Sequence, residues 1–219
     1  TEEKDMPAKV LVVSATQTES EILKEIDGID LISIVTGVGA VATAWALTRY
    51  LNSEQRPDLA VNIGIAGSYR DDIRKGEVVI PVSDCFADAG IEERTGFLTL
   101  AEAGLQKPDE FPFRAGRLVA EYPLVSAAPS GLRRVNALTV GTATGSQDTI
   151  ERLSAKYNPD IETMEGAAFF FVCSMEKIPF IALRAISNMV EPRNRENWDI
   201  PLALQNLTER LREVLLLID

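Results

Sequence analysis

The strongest constraint on this chain is an alternation. Short runs of β-branched and aliphatic residues, apolar along their whole length, take turns with longer stretches of helical character. Strands are expected at residues 10–13, 31–35, 59–63, 77–82, 134–140 and 180–186. Helices are expected at 40–51, 146–154, 166–175 and from about 199 to 217. A strand that is apolar at every position has no solvent face, so it belongs in a sheet covered on both sides. Repeated strand–helix alternation makes that sheet largely parallel. The expected fold class is α/β, with a central mixed, largely parallel β-sheet flanked by helices. One domain is expected over residues 1–219. Residues 84–133 form an irregular, insertion-like segment, because Gly90, Gly96, Gly104, Pro108, Pro112, Pro123 and Pro129 break the rhythm.

Local signals punctuate this pattern. Thr18-Glu19-Ser20-Glu21 reads as a capping box, with Thr18 as N-cap and Glu21 reaching back. The strand at 59–63 is expected to end in Gly64, and Pro81 with the polar residues beyond it to halt the strand at 77–82. Asp199-Ile200-Pro201 supplies a cap and a first-turn proline for the last helix. In sheets of this type ligands bind beyond the carboxyl ends of the strands.

Composition then excludes whole classes of chemistry. The chain has no histidine, which removes Ser-His-Asp triads, Cys-His pairs and histidine-ligated metals. Any acid, base or nucleophile must come from another residue type. With 33 acidic and 22 basic side chains the formal charge is −11, a poor match for nucleic acid or an anionic membrane surface. The opening Thr1-Glu2-Glu3-Lys4-Asp5 is unlike a signal peptide, and no apolar run approaches the ~20 residues of a membrane helix. Cys85 and Cys173 form no motif and are expected as buried free thiols in a reducing, cytoplasmic setting.

Gly37-Val38-Gly39-Ala40-Val41-Ala42 fits the dinucleotide-binding pattern G-x-G-x-x-A. The acid that should follow at the end of the next strand is absent, since Asp58 precedes that strand. Tight strand–helix packing is the better reading. Three other residues carry more weight. Arg184 lies inside an apolar central strand and needs an anionic partner or a polar cavity. Glu165 stands just before an apolar helix, and Glu19 just after the first strand. Each also has a bland reading: a structural ion pair for Arg184, and dipole-complementing helix-start acids for the two glutamates.

Asn62-Ile63-Gly64-Ile65-Ala66-Gly67, Met164-Glu165-Gly166-Ala167-Ala168 and Arg184-Ala185-Ile186-Ser187-Asn188 occur in that order. Together they resemble the nucleoside phosphorylase and nucleosidase superfamily, over nearly the whole chain. The run at 191–201 and residues 95–100 look closest to the futalosine hydrolases of that superfamily, which remove hypoxanthine from futalosine in an alternative menaquinone pathway. The resemblance implies a nucleoside phosphorylase-like fold, a small-molecule nucleoside substrate, and no metal or cofactor. It also implies a homodimer or higher homo-oligomer, with residues 84–96 reaching toward a partner's site.

The resemblance also implies roles. Glu165 would grip the ribose hydroxyls with Met164 beneath the sugar, and Glu19 would orient and deprotonate the attacking water with Arg184 nearby. Gly64, Ala66 and Gly67 would bring backbone close to ribose and water. Asn188 and Ser187 would meet the purine edge. Residues 142–145, Thr142 among them, would lie over the purine. Arg193 and Arg195 are candidates for the benzoate carboxylate of futalosine, with Trp198, Phe97 or Phe111 as apolar walls. The residue types suit the chemistry: a carboxylate stabilises an oxocarbenium-like sugar, and without histidine a glutamate is the natural base.

Two departures choose within the superfamily. Adenine-type nucleosidases carry aspartate at the position of Asn188, and an amide favours a 6-oxopurine. Phosphorylases hold phosphate with glycine and arginine after strand one, whereas residues 14–19 contain no basic residue. Thr163 stands where adenine-type enzymes carry a further glutamate, and adjacent Glu162 is expected to point elsewhere. A methylthioadenosine/adenosylhomocysteine nucleosidase, a 6-oxopurine nucleoside phosphorylase and a non-catalytic nucleoside-binding protein remain as alternatives.

Overall fold

The computed structural model describes residues 9–25, 31–53, 56–94, 96–121, 129 and 131–218. The acidic opening, Thr95 and Pro123 lie outside the described residues. Among the described residues ten strands run in chain order: β1 Val10–Ser14, β2 Leu31–Val35, β3 Leu59–Ser68, β4 Val78–Asp84, β5 Gly90–Glu93, β6 Gly96–Thr99, β7 Leu118–Val119, β8 Arg133–Thr139, β9 Ile161–Thr163 and β10 Phe180–Met189. The helices are α1 Gln17–Glu21, α2 Ala40–Ser53, α3 Gln147–Tyr157, α4 Gly166–Met175 and α5 Ile200–Leu215.

The main sheet follows the order β10-β4-β8-β9-β3-β1-β2, with β7 added to β4. Pairs β1–β2, β1–β3, β3–β10, β4–β8 and β8–β9 are parallel, while β4–β10, β3–β9 and β4–β7 are antiparallel. Because β10 pairs with both β4 and β3, the sheet curls back on itself at that strand. The mixed α/β architecture is the expected one. The closure is new, and it follows from the length of β3 and β10, ten residues each. Strands this long can change neighbours along their course, so β3 pairs with β1 near its start and with β9 at Gly67 and Ser68.

Helices cover the sheet as their apolar spacing requires. In α5, Ala203, Leu207, Leu211 and Val214 fall on one buried stripe facing β10, and Asp199 caps the helix by accepting from the Leu202 N–H at 3.1 Å. In α4 seven of the ten residues are buried. Its Phe169 and Phe170 meet Phe180 of β10 edge-on, with ring centroids 5.6 and 4.8 Å apart.

Several boundaries differ from those expected. The capping box lies two residues earlier: Thr16 is the N-cap in an extended conformation, and Glu19 is the residue that reaches back. The chain leaves β1 at Ser14, so the helix must start at once. β3 does not stop at Gly64 but continues to Ser68. β4 does not stop at Pro81 but runs to Asp84, with a register shift against β8 between Pro81 and Ser83. A bulge is where a residue without an N–H is tolerated inside a sheet. Within 84–133, β5 and β6 form an antiparallel hairpin, more order than loops with one short strand.

The aromatic contact between α4 and β10 gives a direct test. Phe170→Ala should lower unfolding stability by about 3–5 kcal/mol in urea titration.

Candidate functional site

The first glutamate of the site is placed by a local motif. Glu19 Oε2 accepts from the Thr16 N–H at 3.0 Å and from the Thr16 hydroxyl at 2.9 Å, while Thr16 Oγ1 accepts from the Glu19 N–H at 3.2 Å. This box fixes the carboxylate so that its other oxygen reaches over β3, where Oε1 accepts from the Ile65 N–H at 3.2 Å. Gly64 makes the approach possible, because a Cβ there would stand 2.9 Å from Glu19 Oε1. Glu19 is only 7% exposed. It is therefore both a helix-capping acid and a site residue.

Beneath the site lies Arg184, 2% exposed in the middle of β10. Its guanidinium donates to the carbonyls of Asn62 and Leu183 at 3.1 and 3.0 Å and to the Asn62 side-chain oxygen. Burial disfavours its charge, and the carboxylates of Glu165, Glu19 and Asp84 restore part of that loss. Glu165 precedes α4 without capping it. Its Oε1 accepts instead from the Gly39 N–H at 2.8 Å. The glycine pattern at 37–39 thus serves a carboxylate rather than a pyrophosphate, and Gly39 adopts φ +96 to do so. Burial raises the Glu165 pKa, opposed by the Gly39 hydrogen bond and by Arg184.

The orphan N–H groups of α4 find partners elsewhere. Thr163 Oγ1 accepts from Gly166 N at 3.1 Å, and Thr139 Oγ1 from Ala167 N at 2.8 Å. The Thr139 hydroxyl donates to Asp84 Oδ1 at 3.0 Å, which also accepts from Cys85 N at 2.7 Å. Asp84 Oδ2 has no hydrogen-bond partner among the described residues. Burial lifts the Asp84 pKa from 3.8 to about 7, opposed by Thr139 and by Arg117. Sequence reasoning missed this residue. Its only signal was an acid at the carboxyl end of a strand.

A cavity of about 180 Å³ opens between these elements. It brings together Glu19, Ala66, Gly67, Met164, Glu165, Ser187, Asn188 and Trp198. Gly64 and Arg184 lie below its floor, and Arg184 reaches it only through Glu19 and Glu165. Thr142 is exposed and lines a neighbouring cavity, while Ala143 and Thr144 of the same loop line this one. Arg193 lies outside the lining, with its guanidinium 5.9 Å from the Trp198 ring centroid. Arg195 is exposed. Phe97 sits in β6 beneath Arg152 and Lys156, and Phe111 is exposed on another face, so neither walls the cavity. Glu162 does not point elsewhere: its carboxylate lines the cavity, accepting from Thr144 N and the Tyr69 hydroxyl at 2.9 Å each. Thr163, next in the short strand β9, also borders the cavity, with its hydroxyl 3.3 Å from that of Thr139.

Cys85 and Cys173 are free and buried. Among the described residues no group of three or more His, Cys, Asp or Glu side chains is arranged to hold a metal, and no helix is long and apolar enough to cross a membrane.

The raised pKa of Asp84 carries a sign. Its neutral form is favoured in the fold, so its contribution to stability is fully present below pH 3.8 and is lost as pH rises toward and through about 7. Asp84→Asn should remove that loss. Thermal unfolding at pH 5 and pH 8 should show the variant gaining on the unsubstituted protein at the higher pH.

A family model described as "Phosphorylase superfamily" matches residues 12–218. A futalosine hydrolase of Streptomyces coelicolor is 32% identical over 188 residues, covering 84% of this chain and 77% of that protein. A 5'-methylthioadenosine/S-adenosylhomocysteine nucleosidase of Aeromonas salmonicida is 27% identical over 192 residues, covering 86% and 82%. The crystal structure of such a nucleosidase from Colwellia psychrerythraea, in complex with adenine, superposes with a TM-score of 0.80 at 21% identity over 97% of this chain and 96% of that one. That likeness establishes a shared fold.

Proposed function

The chain belongs to the phosphorylase superfamily, and on that premise we propose that it hydrolyses the N-glycosidic bond of futalosine. The products are hypoxanthine and dehypoxanthinyl futalosine, in the futalosine pathway of menaquinone biosynthesis. One observation carries the choice of water over phosphate as nucleophile. Glu19, Glu162 and Glu165 line the cavity, and no lysine or arginine does so among the described residues. Such a site repels phosphate and favours a cationic sugar.

In this reading Glu19 is the general base. Its Oε2 is held by the cap and its Oε1 is shared with one backbone N–H, so it can still accept a proton from water above Gly64. Glu165 binds the ribose hydroxyls and stabilises positive charge as the bond to the base breaks. Met164 packs against the sugar, with Ala66 and Gly67 as floor. Arg184 is a positioning residue whose positive charge lies close to both glutamates. Asn188 and Ser187 meet the leaving purine. Trp198, with Arg193 stacked behind it, faces the benzoate-bearing end. No cofactor enters the scheme.

The A. salmonicida relative favours a second reading, a methylthioadenosine/adenosylhomocysteine nucleosidase. The base released separates the two. We place the reaction in the cytoplasm, where two free thiols persist. We also propose a homodimer or larger assembly: Val41 and Trp45 are 85% and 63% exposed on α2, close in sequence to Val38 at the cavity.

Purified protein should release hypoxanthine from futalosine in phosphate-free buffer. Phosphate-dependent release would convert the reading to phosphorolysis, and faster release of adenine from methylthioadenosine would favour the second one. Glu19→Gln should lower kcat by about 10²–10⁴-fold, the usual contribution of a positioned base, with little change in Tm. Full activity in the folded variant would leave Glu19 with capping alone.

A further inference from the structure

We infer that Glu162 reads the protonated N1 of a 6-oxopurine from the opposite side of the base to Asn188, and is the residue that selects this base over a 6-aminopurine. The inference rests on the reading of the cavity as a nucleoside site and names the part of the substrate that Glu162 meets.

Gly67 of β3 pairs with Glu162 of β9 on one side and with Asn188 of β10 on the other. Paired residues on neighbouring strands project to the same face, so both side chains rise on either flank of a glycine. Two strand spacings separate their Cα atoms by about 10 Å, room for one heterocycle lying across Gly67. A Cβ at Gly67 would stand 3.1 Å from Asn188 Nδ2 and 2.9 Å from the Val190 side chain, so only glycine keeps the slot open. A register shift between Ile186 and Asn188 makes Ser187 the extra residue and turns Asn188 into this face.

The two side chains then offer different chemistry. Asn188 Nδ2 donates to the Met189 carbonyl at 3.0 Å, and Asn188 Oδ1 accepts from the Ser187 hydroxyl at 2.9 Å. This leaves one N–H of the amide for the base, suited to N7 or O6. Such an amide does not choose by itself, because its oxygen could also accept from an exocyclic amine, as asparagine does with adenine. Glu162 breaks the tie. Only 8% exposed, it is held by two neutral donors, the Thr144 N–H and the Tyr69 hydroxyl, one on each oxygen. Burial and the adjacent Glu162 raise the Tyr69 pKa, so the phenol remains a donor. The carboxylate retains acceptor sites and has no donor of its own. A 6-oxopurine presents N1–H to it. A 6-aminopurine presents the N1 lone pair, which a buried carboxylate repels.

The test compares futalosine with its 6-amino counterpart, which differs only at C6, in the full chain and in Glu162→Gln. The ratio of kcat/KM for the 6-oxo over the 6-amino substrate should fall by about tenfold to a hundredfold in the variant, the range for one hydrogen bond to a charged group. A ratio unchanged in a folded Glu162→Gln protein overturns the inference. Calorimetric binding of free bases decides the matter independently of turnover and of the variant's folding. The unsubstituted protein should bind hypoxanthine at least about tenfold more tightly than 1-methylhypoxanthine, which lacks the N1 proton. Equal binding overturns the assignment. If neither nucleoside is cleaved, the proposed hydrolysis falls, while these binding measurements still decide the role of Glu162.

Discussion

One buried positive charge organises this molecule. Arg184 sits in the strand that closes the sheet, and a guanidinium removed from water needs anions around it. Glu19 arrives from α1, Glu165 from the start of α4, and Asp84 from the end of β4. Three segments far apart in sequence thus converge on one strand. Their convergence defines the floor of the cavity. The arginine does not face the cavity itself. It supplies a fixed positive charge that offsets part of the cost of burying carboxylates beside it.

The support around these groups is divided between the two oxygens of a carboxylate and between neighbouring side chains. Glu19 gives Oε2 to the cap and keeps Oε1 over β3. Glu165 stands where a helix-capping side chain would be, yet its carboxylate bonds to Gly39. The capping is done from a distance by Thr163 and Thr139, the latter held by Asp84. Thr139 spends its one proton on Asp84, so the proton between the two threonines must come from Thr163. That fixed direction ties the start of α4, just beyond Met164 and Glu165, to β8 and β9.

What could be read from the sequence was whatever a residue announces against its immediate surroundings. An arginine inside an apolar run, an acid before an apolar helix and the strand–helix rhythm all stand out locally. Proline at 81 and glycine at 64 misled for the same reason: taken alone they read as stops. In the structure one sits at a bulge and the other yields space to Glu19. Glu162 was misjudged because counting along β9 cannot tell which face a three-residue strand shows to the cavity. Its position opposite Asn188 depends on the register of three strands that are distant in sequence. Closure of the sheet through β10 was hidden likewise, since it depends on one strand pairing with different partners along its length.

The extra residue at Ser187 has a consequence for how such a site can change over evolutionary time. Ahead of it, β10 and β3 run in phase; beyond it, β10 is one residue longer. With or without that residue, position 188 falls opposite Gly67, so its loss would keep Asn188 on the same face while removing the Ser187 hydroxyl that holds its side-chain oxygen and the extra twist of the bulge. A homologue lacking it would therefore keep the same scaffold and the same residue in line with Gly67, with that side chain released from its hydroxyl partner.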